Sequence, residues 1–242
     1  MKIAIIGYGK MGKTIERVAT ARGHQISAIV DRETDLALSD LSKETTDVAI
    51  EFTNPEVAKS NLMTLADNQI STVSGTTGWL DAYESVCNRF ITNSSSILYA
   101  SNFSVGVNVF FAINKVLASY MSEHTEYNVS MEEIHHIHKL DAPSGTAITL
   151  AEGIMEHISN KTKWVNDAAS QKEELSIISK REGEVPGTHT INYHSKIDSI
   201  TISHEAHSRE GFALGAVIAA EWLNGKTGVF SMQDVLGLGS EA

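Results

Sequence analysis

The sequence has 242 residues, of which 42% are apolar and 20% are charged, proportions typical of a folded globular protein with a substantial core. Acidic side chains outnumber basic ones by 30 to 19, and no cluster of Lys or Arg offers the basic face that nucleic acid or an anionic membrane would need. With one cysteine, Cys87, and neither a secretory signal nor an apolar run long enough to span a bilayer, we expect a cytoplasmic protein.

Short, β-branched apolar segments alternate with helical segments in the amino-terminal part of the chain. The predicted strands cover residues 2–6, 25–30, 46–52, 71–74 and 96–100. A first helix is expected to end at Gly23, a second to begin at Asn54 as its N-cap with Pro55 in its first turn, and a third to cover residues 80–90. This alternation predicts an α/β fold with a doubly wound parallel sheet of Rossmann type.

The pattern changes after about residue 124 to that of a mixed α+β unit. A long strand at 127–136 precedes a helix at 144–159, for which Ser144 is the expected cap. Three further strands are predicted at residues 175–180, 188–194 and 199–206, the last two joined by a hairpin loop.

A strongly apolar helix is predicted at residues 212–223, and we expect it to return to the first domain. The chain would then cross between domains near residues 103 and 208. The sequence therefore predicts one domain made of residues 1–103 with 209–242, and a second made of residues 104–208.

The first predicted strand leads into a glycine-rich loop with the pattern Gly-x-Gly-x-x-Gly. The loop consists of Gly7, Tyr8, Gly9, Lys10, Met11 and Gly12. Between a strand and a helix, such glycines let the backbone approach a pyrophosphate, which binds to the free amides of the helix start. Asp31 ends the second strand, where an acid usually bonds the adenine ribose. The alternative is a turn that only allows close packing of helix and strand.

The nucleotide preference depends on charges at the end of the second strand. Asp31 repels a 2′-phosphate and favours NADH, whereas Arg32 and Lys10 are two nearby cations that could accept one. The sequence predicts NADH as the cofactor and leaves NADPH, or the use of both, open.

Two further loops follow predicted strands of the same sheet, at the strand ends where open α/β sheets bind ligands. Their small and hydroxyl residues suit close approach of the nicotinamide ribose and ring, although ordinary turn chemistry also explains them. The candidate residues are Gly75, Thr76 and Thr77 in one loop, and Ala100, Ser101, Asn102 and Phe103 in the other.

The segment from Glu133 to Ala147 carries the most chemistry. A strand ends in a loop rich in His and Lys, and a helix begins at Ser144. Lys139 supplies a positive charge, the imidazoles titrate near neutrality, and the helix start supplies free amides. This combination predicts a site for a ligand with two carboxylates. A metal site and a merely solvated loop are the alternatives, but no cysteine lies nearby and alternation along a strand points neighbouring histidines apart.

Residues 135–147, with the sequence His-His-Ile-His-Lys-Leu-Asp-Ala-Pro-Ser-Gly-Thr-Ala, resemble the signature of the dihydrodipicolinate reductases, now called 4-hydroxy-tetrahydrodipicolinate reductases. Residues 75–78 and 102–108 resemble that family's other motifs in the same order, and residues 230–236 resemble its carboxyl end.

The resemblance implies a role for each residue of the signature. His135 is implied as proton donor/acceptor and Lys139 as proton donor. His136 would bind substrate, and Gly145 and Thr146 would bind a substrate carboxylate through their backbone amides.

The resemblance also implies the reaction and the assembly. A hydride would pass from a nicotinamide to a cyclic imine dicarboxylate, giving tetrahydrodipicolinate in the diaminopimelate and lysine pathway. The glycine loop, Asp31 and the two later loops would hold the nucleotide. Residues 104–208 would bind substrate and form a homotetramer through their sheet, with neither nucleic acid nor membrane as a partner.

Two features depart from the family pattern. The family's glycine loop commonly has one more residue between its first two glycines and an arginine at the position of Lys10, and the stretch from Asp31 to Thr46 is short. Both features affect the nucleotide preference.

A homoserine- or aspartate-dehydrogenase-like enzyme and a non-catalytic nucleotide sensor are the rival interpretations. Residues 135–139 argue against the first, and Lys139 against the second.

Overall fold

The computed structural model of the chain describes residues 1–208 and 210–238. The fold divides into two compact units. The first contains Met1–Val105 and the described residues from Glu210 onward, and the second contains the described residues from Gly106 to Ser208. The predicted crossings, near residues 103 and 208, lie close to these divisions.

The first unit is built on a parallel six-stranded sheet. Its strands are β1 (Lys2–Ile6), β2 (Gln25–Val30), β3 (Val48–Glu51), β4 (Ser71–Ser74), β5 (Ser96–Tyr99) and β11 (Gly228–Phe230), in the spatial order β11-β5-β4-β3-β1-β2. Its helices are α1 (Lys10–Ala21), α2 (Pro55–Asp67), α3 (Tyr83–Thr92), α6 (Glu210–Leu223) and α7 (Met232–Leu236). The predicted Rossmann-type sheet is confirmed.

Helices cover both faces of this sheet, so residues 3–6 of the central strand β1 are all apolar and buried. Ile3 and Ile5 of β1 belong to one buried cluster, and Ala4 and Ile6 to the other, as alternation along a strand requires. The apolar helix α6 packs on α1 and on the sheet within this unit, as predicted. The contact is so close that a Cβ atom at Gly215 would lie 1.7 Å from the carbonyl oxygen of Phe103.

The second unit contains a mixed five-stranded sheet. Its strands are β6 (Asn128–His135), β7 (Lys163–Val165), β8 (Glu174–Arg181), β9 (Gly187–His194) and β10 (Ser199–Ala206), in the spatial order β10-β9-β6-β8-β7. Central β6 pairs antiparallel with β9 and parallel with β8. Helix α5 (Gly145–Met155) and helix α4, which begins at Val105 and ends at Met121, contribute to its apolar core.

Several local predictions were wrong or incomplete. The predicted helix at 80–90 is a 3-10 turn at Leu80–Ala82 followed by α3, and α5 ends four residues before the predicted position. Asn54 does occupy the N-cap of α2, but its side chain accepts no hydrogen bond from the first backbone amides of this helix. Helix α4 and the short elements β7, β11 and α7 were not predicted, because α4 is apolar on most sides and the others are too short for periodicity to show.

Among the described residues, no helix is both long enough and apolar enough to cross a membrane.

Candidate active site

The first unit has a crevice where the strand order reverses. From β1 the chain proceeds to β2 on one side and to β3 on the other, and ligands of open α/β sheets bind at such a switch point. A cavity of about 430 Å³ lies there. It is lined by the carboxyl ends of these strands and the first turns of α2, namely Ile6, Gly7, Tyr8, Gly9, Val30, Asp31, Arg32, Phe52, Thr53, Asn54, Val57 and Asn61.

The three glycines of the loop are required for different physical reasons. A Cβ atom at Gly7, whose φ is +92°, would lie 2.2 Å from the Phe52 carbonyl oxygen, and one at Gly12 would lie 2.2 Å from the Gly7 carbonyl oxygen. The fold itself therefore requires these two. At Gly9, apart from the glycine and its two chain neighbours, no described residue has an atom within 4 Å of the position that a Cβ would occupy. Gly9 is the N-cap of α1 and has no side chain to satisfy the helix amides, so this open space fits a pyrophosphate.

The other loop residues surround this position. The Tyr8 hydroxyl donates to Glu16, and the Lys13 ammonium lies 5.7 Å from the centre of the Tyr8 ring. Lys10, the first residue of α1, is exposed, whereas Met11 is half-buried against the core. Two lysines are thus available at the helix start for an anionic ligand.

Asp31 is fixed at the mouth of the crevice. Its carboxylate accepts hydrogen bonds from the backbone N–H of Tyr8, at 2.5 Å, and of Arg32, at 2.7 Å. The bond from Tyr8 is the main reason that the pKa of Asp31 lies below its usual value. The group is therefore ionised near neutral pH, and its remaining lone pairs are available to ribose hydroxyls. Arg32 lines the same cavity and is exposed.

Glu51, at the end of β3, organises the neighbouring loop and was missed at the sequence level. This fully buried carboxylate accepts hydrogen bonds from the hydroxyls of Ser74, at 2.8 Å, and Thr76, at 2.7 Å, and from Thr53. The hydroxyl of Thr76 is thus turned inward, while Thr77 is exposed. Glu51 was not found because a carboxylate inside an apolar strand gives no sign of which hydroxyls will meet it.

Gly75 and the second loop lie around Phe52. A Cβ atom at Gly75 would lie 2.2 Å from the Phe52 ring, and the Phe103 ring is 5.7 Å from it. Phe103 is 2% exposed and belongs to the core, so its side chain has a structural role. Asn102 accepts a hydrogen bond from the backbone of Ser104, Ala100 packs against the core, and Ser101 is exposed. Ser101 and the loop backbone are therefore the groups best able to meet a ligand.

Strand pairing in the second unit brings a polar cluster together. Alternation puts Glu133 and His135 on the same face of β6, and Glu133 is paired across the sheet with His189 of β9 and Ser179 of β8. His135 Nδ1 lies 3.5 Å from a carboxylate oxygen of Glu133, and the rings of His135 and His189 are 5.1 Å apart. His189, Ser179 and the role of Glu133 were missed, because sheet register cannot be read from the spacing along one strand.

The cluster is buried, and the pKa values of Glu133 and His135 are shifted from their usual values. Burial is the largest effect on His135 and lowers its pKa to about 4, although Glu133 acts in the opposite direction. Burial raises the pKa of Glu133, but hydrogen bonds from His189, Ser144 and Ser179 outweigh it and leave the pKa far below the usual value. At neutral pH the pair is thus a neutral imidazole beside an ionised carboxylate.

Lys139 is already paired. Its ammonium donates to both carboxylate oxygens of Asp141, at 2.7 and 2.8 Å. Arg181, opposite His135 in the register, donates to the backbone carbonyls of Lys139 and Asp141 and so holds this loop. Asp141 and Arg181 were not selected from the sequence, although Asp141 lies only two residues beyond Lys139.

The two remaining histidines of the segment are near each other. The His136 ring is half-buried and lies 6.2 Å from that of His138, which is exposed and close to Glu184.

Helix α5 begins where the sequence predicts. Ser144 is its N-cap, and its hydroxyl accepts a hydrogen bond from the backbone N–H of Ala147, at 3.2 Å. Gly145 is exposed, no described atom lies within 4 Å of its Cβ position, and Thr146 is half-buried. The first amides of α5 therefore have room for an anionic oxygen.

Glu133, His135 and His189 each offer one potential metal-ligand atom, and these atoms lie within 4.8 Å of one another. Protein groups already contact two of these side chains. The Ser144 hydroxyl lies 3.1 Å from His189 Nε2, and the Arg181 guanidinium lies 3.6 Å from the Glu133 carboxylate. The positive charge of Arg181 opposes binding of a metal dication.

A switch-point crevice with a glycine loop and an ionised acid is typical of oxidoreductases that use a nicotinamide dinucleotide, and the first unit assigns the chain to this class. Comparison with known proteins narrows the class. The family model for the dihydrodipicolinate reductase N-terminus matches residues 1–103, and the model for its C-terminus matches residues 106–236. The chain belongs to the dihydrodipicolinate reductase family.

Individual relatives agree with this family assignment. A protein of Christiangramia forsetii named 4-hydroxy-tetrahydrodipicolinate reductase is 50% identical, with 98% of each chain covered. One of the same name from Neisseria gonorrhoeae is 34% identical, again with 98% of each covered. In fold, the chain resembles the dipicolinate-bound dihydrodipicolinate reductase of Paenisporosarcina sp. TG-14, with a TM-score of 0.82, 23% identity, and coverage of 96% of this chain and 97% of that one.

Proposed function

We propose that the protein reduces 4-hydroxy-tetrahydrodipicolinate to tetrahydrodipicolinate with a reduced nicotinamide dinucleotide, in the biosynthesis of diaminopimelate and lysine. The observation that carries the proposal is the second unit's combination of a buried imidazole, a lysine ammonium and an open helix start within residues 135–146. These are the groups that a dicarboxylate undergoing reduction and protonation requires.

Substrate binding is assigned to the loop and the start of α5. The backbone amides of Gly145 and Thr146 would bind one carboxylate, because they are the first amides of the helix and the space beside Gly145 is open. His136 would contact the substrate as a hydrogen-bonding group. We infer that the two positive groups of the loop, Lys139 and Arg181, further favour a dianion.

The protons are assigned to Lys139 and His135. Loss of water from the 4-hydroxy substrate would give a conjugated imine, and a bound nicotinamide dinucleotide would supply the hydride that adds to carbon 4 of this ring. Charge then develops in the conjugated imine, and Lys139 donates the proton that neutralises it, after exchanging Asp141 for the substrate as its partner. His135 would enter the reaction as a neutral group able to accept and return a proton. One hydride and one proton are consumed, and one water is lost, per substrate molecule.

NADH is the proposed preferred nucleotide. The ionised Asp31 lies where a 2′-phosphate would have to be accommodated, and like charges there cost free energy. Arg32 lines the same cavity, which keeps NADPH open as a second donor.

We propose a homotetramer assembled through the second unit. One surface of this unit, formed by α4 and β10, carries the exposed apolar side chains of Ile113, Val116, Tyr120 and Ile200. An apolar surface of this kind is typical of an interface between subunits. Light scattering should give a mass four times that of the chain, and a monomeric mass would refute this.

We also propose a cytoplasmic location, in keeping with the single free cysteine, Cys87, which is buried.

The function is tested by supplying the condensation product of pyruvate and aspartate semialdehyde together with NADH. We expect loss of the absorbance of the reduced nicotinamide only when both are present. The Lys139→Ala variant should be nearly inactive. Lys180→Ala, which removes a surface lysine paired with Glu132, is the matched control and should keep full activity. Wild-type protein that binds NADH but does not oxidise it would exclude the proposal and favour a sensor.

A further inference from the structure

We propose that Glu133 is a positioning residue that fixes the tautomer of His135, holding the proton on Nδ1 and leaving the lone pair of Nε2 for the reaction. The inference deepens the proposed function, because it concerns the same imidazole.

The geometry around Nδ1 decides where the proton lies. His135 is 7% exposed, and its buried Nδ1 makes no well-formed hydrogen bond to any of the described residues. The polar atom facing it is Oε2 of Glu133, at 3.5 Å. Glu133 is ionised, so an unprotonated Nδ1 would direct its lone pair at a carboxylate lone pair. With the proton on Nδ1, the contact becomes attractive instead.

The carboxylate cannot turn away from His135, because donors hold it from the other side. The backbone N–H of Ser144 donates to both of its oxygens, at 3.0 and 3.1 Å, and the Ser179 hydroxyl donates to Oε1 at 2.8 Å. Arg181 lies 3.6 Å from Oε1 as well. Since Ser144 caps α5, the same carboxylate also fixes the start of the helix assigned to the substrate carboxylate.

The other ring nitrogen lies beside a glycine. A Cβ atom at Gly187 would lie only 3.0 Å from Nε2 of His135, so any other residue there would crowd this nitrogen. Because Nδ1 is the buried ring nitrogen, Nε2 is the one left for the reaction, and the Nδ1–H tautomer gives it a lone pair that can accept a proton.

The substitution Glu133→Gln makes a sharp prediction because a carboxamide has one acceptor and one donor end. The Ser179 hydroxyl and the Arg181 guanidinium both approach Oε1, whereas the Ser144 N–H is shared between the two oxygens, so the carboxamide oxygen should take the Oε1 place. The NH₂ group then lies between His135 Nδ1 and His189 Nε2, and one of its two hydrogens donates to Nδ1. The proton of His135 must move to Nε2, which reverses the tautomer while the side-chain volume is kept.

The tautomer is measured by solid-state ¹⁵N NMR on the full chain, labelled with ¹⁵N-histidine and sedimented at neutral pH. Protonated and unprotonated ring nitrogens have well-separated shifts, and subtracting the spectrum of His135→Asn assigns His135. We expect a protonated Nδ1 in wild type and a protonated Nε2 in Glu133→Gln. A protonated Nε2 in wild type, or an unchanged tautomer in the variant, would overturn the proposal. The wild-type spectrum alone decides it if the variant does not fold.

Kinetics supply the second readout. Glu133→Gln should lower kcat by on the order of 10²-fold, with unchanged NADH affinity and a much smaller change in KM, since the bond from Ser144 is kept. Glu132→Gln is the matched control: it lies next to Glu133 on β6, but its side chain pairs with Lys180 at 2.6 Å, and both kcat and tautomer should stay as in wild type.

A reversed tautomer with unchanged kcat would show that Glu133 does not position His135 for the reaction. The two proposals fail separately: wild type with a protonated Nδ1 but no reductase activity would refute the proposed function and leave the tautomer assignment standing.

Discussion

The glycine loop offers a pair of substitutions whose effects should separate. Gly9→Ala adds a methyl group to open space, whereas Gly12→Ala adds one 2.2 Å from the Gly7 carbonyl oxygen. Gly9→Ala should therefore weaken nucleotide binding with little loss of stability, whereas Gly12→Ala should lower the stability of the fold.

The magnitudes follow from these contacts. At Gly9, which is an N-cap, replacing Gly by Ala should cost the fold no more than about 1 kcal/mol. A methyl group in the pyrophosphate position should cost about one charge-assisted hydrogen bond, roughly 1.5–3 kcal/mol, or about 10- to 150-fold in the Kd for NADH. At Gly12 the backbone must shift, which typically costs about 1–3 kcal/mol, or about 2–12 °C in Tm for a chain of this size.

Two assays on each variant decide the matter: thermal unfolding followed by circular dichroism, without nucleotide, and isothermal titration with NADH. We expect Gly9→Ala to lose affinity for NADH with a fall in Tm of at most about 4 °C, and Gly12→Ala to show the larger fall in Tm. Gly9→Ala that binds NADH as wild type does would refute the assignment of the pyrophosphate to this loop. Gly12→Ala with an unchanged Tm would show that the packing argument is wrong.

Three further predictions concern ionisable groups. Lys139→Ala should lower kcat by on the order of 10²-fold while the Kd for NADH, measured by titration, stays the same; near wild-type turnover would remove Lys139 from the mechanism. Asp31→Ala should raise the ratio of kcat/KM for NADPH to that for NADH, because Arg32 remains and the repelling carboxylate is gone; an unchanged ratio would place the ribose elsewhere. The pKa of His135 is about 4 in the folded state and near 6.5 in the unfolded chain, so the unfolded chain binds more protons between these pH values. The free energy of unfolding should therefore fall by up to about 2 kcal/mol from pH 7 to pH 5. Urea unfolding at both pH values checks this, and His135→Gln should lose less stability than wild type; an equal loss in both proteins would contradict the shifted pKa.

The sequence predicted the first unit best, because each parallel strand carries its own apolar signal. The strands at 2–6, 25–30 and 71–74 have the predicted bounds. Helix α4 was missed because its exposed face also carries apolar side chains, among them Ile113, Val116 and Tyr120, which masks the period of 3.6 in its sequence. Elements of three residues, such as β11, are too short to show any period.

For the candidate site, the sequence could name residues but not their partners. Lys139 and the helix start at Ser144 followed from local patterns, since a charge and a cap are visible in one short segment. The contact between Glu133 and His189 depends on the pairing of β6 with β9, which joins residues that are 56 positions apart. The inward rotation of the Thr76 hydroxyl depends likewise on Glu51, one strand away. Long-range register is the information that one strand's pattern lacks.

The central claim is that this chain transfers a hydride to carbon 4 of a cyclic imine dicarboxylate. The most direct measurement uses NADH that carries deuterium at both positions of nicotinamide carbon 4, together with the condensation product of pyruvate and aspartate semialdehyde. The isolated product is then analysed by mass spectrometry and NMR. We predict tetrahydrodipicolinate that carries a single deuterium at carbon 4, formed by wild type and far more slowly by Lys139→Ala. Product without deuterium, or NADH that is left unoxidised by a protein that binds both ligands, would contradict the account.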